Sequence, residues 1–64
     1  MKSFLDLLEE LQAEVLIDDW NNVWTIKNSF MLVIAERSFG NTVQVWDEQM
    51  LESNPPPPGL RPIS

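Results

Sequence analysis

The 64-residue chain contains no cysteine, no histidine and no tyrosine, and it has only two glycines. Without cysteine there is no disulfide, no thiolate nucleophile and no Cys-ligated zinc. Without histidine the commonest general base near neutral pH is missing, and so is the orienting partner of a serine or threonine nucleophile. Gly40 and Gly59 stand alone, so no glycine-rich loop is available to cradle a phosphate. Cations are scarce: four Lys and Arg against ten Asp and Glu leave a net charge of −6. That balance repels nucleic acid and anionic membrane and favours encounter with basic partners. No apolar run approaches the ~20 residues of a membrane helix. Asp6, Glu9 and Glu10 break up the first apolar stretch too early for a signal peptide. The expectation is a soluble, cytoplasmic protein without cofactor or metal, touching neither nucleic acid nor membrane directly.

What is present argues for a fold. Apolar residues make up 44% of the chain, and three Trp and three Phe supply bulk, which is too hydrophobic for a disordered polymer. Ser3 followed by Asp6 ahead of a Leu-rich run is a helix start. Phe4, Leu8, Leu11 and Val15 recur at helical spacing, which predicts a helix from about Ser3 to about Leu16. Three β-prone runs follow: Val23 to Lys27, Phe30 to Arg37, and Thr42 to Asp47. Asn28-Ser29 and Ser38-Phe39-Gly40-Asn41 are turn-rich connections of hairpin length. Met50 to Glu52 is compatible with one further helical turn. The predicted fold is α+β: one amphipathic helix on a three-stranded antiparallel meander, spanning residues 1–53. Residues 54–64, with four consecutive prolines, form a tail suited to polyproline II.

Alternation along the strands divides the sheet into two apolar faces. Phe30, Leu32, Ile34, Val43 and Val45 share one; Met31, Val33, Ala35 and Trp46 share the other, which Trp24 and Ile26 join if the first turn has two residues. The uniform aliphatic face is the expected bed for the helix. The tryptophan face would then lie open, to be covered by the proline tail, by a second copy in a homodimer, or by another protein.

Chemistry is hard to place. Glu9-Glu10 and Asp18-Asp19 are adjacent in sequence and offer no carboxylate pair with opposed environments. Asp18, Asp19, Asn21 and Asn22 have the composition of a calcium loop without its glycine or closing glutamate. Pro55 and Pro58 have PxxP spacing, but the residue two before Arg61, where such a motif needs proline, is Gly59.

The expected function is a non-enzymatic protein-binding module, a stoichiometric inhibitor or adaptor of a larger protein with a basic or apolar surface. Its size suits small phage or mobile-element proteins that block host machinery. Trp24, Met31, Val33 and Trp46 are the expected apolar anchors, and Glu9, Glu10, Asp18 and Asp19 the steering charges. The alternatives are a purely structural homodimer and a nucleic-acid mimic acting through an acidic helix face.

Overall fold

The computed structural model describes residues 2–29 and 32–63. Two helices lie on one side of a five-stranded antiparallel sheet, so the class is α+β as expected, but the sheet is not a three-stranded meander. In chain order the elements are α1 (Phe4–Leu11), β1 (Val15–Ile17), β2 (Val23–Ser29), β3 (Leu32–Phe39), β4 (Thr42–Trp46), α2 (Glu48–Ser53) and β5 (Arg61–Pro62). The strand order is β4-β3-β2-β1-β5.

α1 starts as its sequence dictates. Ser3 Oγ accepts from the Asp6 backbone at 3.1 Å and Asp6 Oδ2 accepts from the Ser3 backbone at 3.3 Å, a reciprocal capping box. Its end corrects the prediction. The helix stops at Leu11, where Gln12 turns left-handed (φ 52°) and its N–H closes on the Leu8 carbonyl. The next residues are claimed by the sheet: Val15, Leu16 and Ile17 pair with Thr25, Trp24 and Val23. Val and Ile favour the pleated surface, and Leu16 becomes fully buried there.

The β2–β3 pairing begins at Val23↔Ser38 and runs to Ser29↔Leu32, so Asn28 and Ser29 are strand residues and not a turn. Phe30 and Met31 lie outside the described residues. Relative to the predicted hairpin the register moves by two residues per strand. An even shift preserves face membership, so Trp24 and Ile26 do share a face with Val33, Ala35 and Trp46. The β3–β4 connection is two residues, Gly40-Asn41, between the closing pair Phe39 and Thr42. Gly40 sits at φ +60°, which its missing Cβ permits without strain.

After β4, Asp47 caps α2 through the Met50 backbone (2.9 Å) and seats Leu51 in the core. The C-terminal segment then returns to the sheet. Phe4 N–H donates to the Asn54 carbonyl at 2.9 Å, Asp19 N–H to the Pro58 carbonyl at 3.0 Å, and Leu16 and Ile17 pair with Pro62 and Arg61. Leu60 packs against the core. Gly59, at φ +71°, lies so close to the Asp19 carboxylate that a Cβ there would stand 2.0 Å from Oδ1.

The helices cover the tryptophan face and not the aliphatic one. Phe4 wedges between the indoles, 4.9 Å from the Trp24 centroid (76°) and 5.7 Å from Trp46 (56°), and the indoles meet edge-on at 5.3 Å. Burying two large aromatic side chains removes more apolar area than burying valines, and edge-to-face ring contacts add to it. Phe4, Leu5, Leu8, Leu16, Trp24, Ala35 and Leu51 form this core.

Gln12 holds a conformation that suits glycine. Gln12→Gly is expected to raise the unfolding free energy by up to ~1 kcal/mol, read as a higher urea midpoint at unchanged slope. A lower midpoint would show that the Gln12 side chain, whose amide donates to the Glu9 carbonyl, matters more.

Candidate interaction surface

The residues expected to meet a partner divide between core and surface. Trp24 is 2% exposed beneath α1, Val33 and Trp46 are partly buried against the same core, and Asp18 is fully buried. Met31 lies outside the described residues. Glu9 and Glu10 are exposed on α1, with Glu10 paired to Lys2. Asp19 is exposed and 3.3 Å from Arg61 Nη1. Because α1 ends at Leu11, its acidic face is limited to Asp6, Glu9 and Glu10, and Asp18 and Asp19 fall in the loop after β1.

Asp18 closes the five-residue connection between β1 and β2. Its Oδ1 accepts from the backbone N–H groups of Trp20 (2.9 Å) and Asn22 (3.0 Å), and its Oδ2 from Asn22 Nδ2 (3.1 Å) and Trp24 Nε1 (3.0 Å). Asn21 takes the left-handed conformation (φ 64°) that this loop requires, as asparagine readily does. Burial pushes the Asp18 carboxyl up, but the four hydrogen bonds outweigh it and hold the group below the ordinary carboxylate range. Its low titration is therefore structural, and its buried oxygens leave no face toward solvent. Trp46 Nε1 is the contrast: it is buried and has no acceptor among the described residues.

The open surface is the far side of the sheet. Pairing places Val45, Glu36, Thr25 and Val15 in one row across the strands, and Val43, Ser38, Val23, Ile17 and Arg61 in the next. Ile34 and Lys27 form a third. Val43 is 60% exposed, Val45 55% and Leu32 54%, although all three are residues a core would accept. The only charges in these rows are Lys27, Glu36 and Arg61, and Lys27 lies 3.2 Å from Glu36. The carboxylates of Asp6, Glu9, Glu10, Glu48 and Glu52 belong to the helix side. The helix side is thus acidic apart from an uncovered strip at the Gly40 end, where Phe39 is 64% exposed, and the far side is apolar and close to neutral.

The aromatic signal in the sequence found the core and missed the surface. The surface signal lies in the alternate positions of the strands, where Val43 and Val45 pair the same way as Val15 and Val23. A second open region, a groove of about 450 Å³ at the Gly40 end, is lined by Trp20, Asn22, Arg37, Phe39, Thr42 and Gln44. Arg37 reaches 5.8 Å from the Trp24 ring centroid and bonds Gln44 Oε1. Among the described residues no group of three or more His, Cys, Asp or Glu is placed to hold a metal ion, and no helix is long and apolar enough to cross a membrane.

Two stability outcomes follow from these polar contacts. Asp18 titrates lower in the folded chain than in the unfolded one, where ~3.9 applies, so its contribution is complete above that value and is lost as pH falls through the folded pKa. Asp18→Asn should cost about 2–3 kcal/mol at pH 7 in urea unfolding, with the gap from wild type closing below about pH 4. A gap that stays constant to pH 2 would mean that charge is not what Asp18 supplies. Trp46→Phe removes an orphaned donor while keeping a ring, so it should cost at least ~1 kcal/mol less than Trp24→Phe, which strips Asp18 of a partner. Equal costs would show that the two indole N–H groups do not differ energetically.

No family model, curated protein or solved structure matches this chain.

Proposed function

We propose that the chain is a non-enzymatic protein-binding module, an inhibitor or adaptor, whose docking surface is the uncovered apolar face of the sheet. One observation carries this: Leu32, Val43 and Val45 are each more than half exposed on the side opposite the helices. The five strands span about 19 Å across the sheet, and the exposed valines lie at both ends of that span, on β1 and β4. The largest apolar patch on a small protein is often its functional surface. The partner supplies a complementary apolar surface and needs little charge, because Lys27 and Glu36 neutralise each other.

The acidic helix side plays a different part. Its carboxylates point away from the apolar face, so they do not contact whatever docks there. Their field extends about a Debye length, ~8 Å at physiological salt, and raises the encounter rate with basic proteins. Opposite placement of the two surfaces favours an adaptor, with one protein on the sheet and a basic one near α1, over a plug that uses both surfaces on a single target. The short helix and the buried Asp18 give nucleic-acid mimicry less to work with.

The test separates folding from docking. The triple variant Val15→Thr, Val43→Thr, Val45→Thr should keep an unfolding free energy, read from urea titration, within ~1 kcal/mol of wild type, since these side chains are largely in water. It should lose at least tenfold in affinity for a partner purified with the wild-type chain. Glu9→Lys with Glu10→Lys should slow association of a basic partner and flatten its salt dependence while leaving docking on the sheet unchanged. Undiminished affinity in the triple valine variant would remove the sheet face as the docking site.

A further inference from the structure

The two edges of the sheet are treated differently by the sequence. On one side β5 is two residues long and contains Pro62, which shields that edge from adding strands. On the other side β4, Thr-Val-Gln-Val-Trp, has no charge, no proline and no bulge, and Thr42 to Val45 are all exposed. Charged side chains, prolines and short length are the ordinary protections of an edge, and β4 lacks all three.

The backbone of β4 has a defined polarity. In a two-residue hairpin the closing pair is hydrogen-bonded, and bonded and non-bonded pairs then alternate. With Phe39↔Thr42 closing the hairpin, Thr42, Gln44 and Trp46 turn their N–H and C=O groups toward β3. Val43 and Val45 therefore turn theirs outward, and no hydrogen bond to any described residue takes them up. We propose that two copies of this chain join through β4, antiparallel about a two-fold axis at Gln44, to make one continuous ten-stranded sheet.

The register follows from the outward groups. Centred on Gln44, Val43 of one copy stands opposite Val45 of the other, so both outward residues form hydrogen-bonded pairs and four new bonds close symmetrically. The two-fold axis is perpendicular to the sheet, so the Val43–Val45 pairs cluster on the apolar side, where β-branched neighbours pack well. Charge fits the same arrangement. Asp47 and Glu48 follow β4 directly, and a parallel pairing would bring them against their own copies. The antiparallel one sets them beside the uncharged Gly40-Asn41 turn. A second copy meets the outward donors and acceptors of this strand by symmetry (an isologous contact). Each copy still carries −6, so association strengthens as salt screens the repulsion, unlike capture of a basic partner.

Gln44 of each copy would face its counterpart across a non-hydrogen-bonded pair, with Cα atoms ~4.5 Å apart, close enough for a disulfide. Because the chain has no cysteine, Gln44→Cys adds the only thiol. In air it should convert to a covalent dimer, whereas Thr42→Cys, displaced about 13 Å from its counterpart, should not. Sedimentation of the wild-type chain should give a dimer with a dissociation constant on the order of 100 μM, as suits a small interface, tightening with added salt. Val43→Pro leaves the bonds to β3 intact, so its circular dichroism should be unchanged while association weakens at least tenfold. Val15→Lys, on the apolar face three strands away, should leave association unaltered. A chain that stays monomeric at 1 mM overturns the proposal. So do equal cross-linking of the two cysteine variants, and loss of the dimer by Val15→Lys but not by Val43→Pro, which would mean that the sheets stack face to face.

Discussion

The hydrogen bond from Trp24 Nε1 to Asp18 decides how this chain folds on itself. An indole that enters a core without an acceptor for its N–H strands a donor at a cost of about 1–3 kcal/mol, as Trp46 does among the described residues and Trp24 does not. Asp18 supplies the acceptor from a loop that it also closes, through the backbones of Trp20 and Asn22. The same carboxylate therefore makes the β1–β2 hairpin and admits the largest core side chain. Once Trp24 points inward, alternation leaves no further choice. Leu16, Ile26, Ala35 and Trp46 go inward with it, and Val15, Val23, Val43 and Val45 go outward.

A core this small needs closure at its ends, and the chain has no disulfide to provide it. The C-terminal segment does that work with backbone hydrogen bonds. Asn54 holds the start of α1, Pro58 holds Asp19, and Arg61-Pro62 covers the outer edge of β1. The proline run suits the task because its fixed φ leaves little entropy to lose on ordering. The Arg61–Asp19 pair itself adds little, being exposed; the left-handed Gly59, which lets the chain pass against Asp19, matters more. The result is a protein whose two ends are fastened to each other beside α1 and β1, while β4 is left with a bare flank.

Much of this was legible in the residues, for identifiable reasons. The Ser3–Asp6 cap and the division of side chains between two sheet faces depend on local chemistry and on a period of two, and each is found; the turn is found at Gly40-Asn41, with Ser38 and Phe39 of the expected connection taken into β3. The even register shift of the β2–β3 hairpin shows why the faces survived a misplaced turn. The end of α1 was not legible, because Leu11 and Val15 continue a helical stripe and only the pairing of Leu16 with Trp24 shows that the sheet has the stronger claim. Nor was the covered face. Uniform aliphatic residues look like a better helix bed than a mixed aromatic row, until the acceptor for the indole N–H is known to lie within the chain. The candidate site moved with it: Trp24, Val33 and Trp46 became core, Asp18 became the acceptor, and the surface passed to the valines across the sheet.

The apolar face and the bare edge share one origin. The described residues provide two short helices, which cover the core part of one side of five strands and leave β4 the last strand of the sheet. They differ in what they ask of a partner. The face is non-directional and accepts any complementary apolar surface, so its specificity must come from shape. The edge is directional, because the Val43 and Val45 backbones require donors and acceptors at fixed spacing, and a second copy offers both in matching order. Pairing at the edge would also bring two apolar faces into one plane, doubling the docking area without adding a residue. A module that joins its own edge first thus presents a larger and more rigid surface to whatever it binds next, and concentration and salt would regulate that binding before any contact with the partner is made.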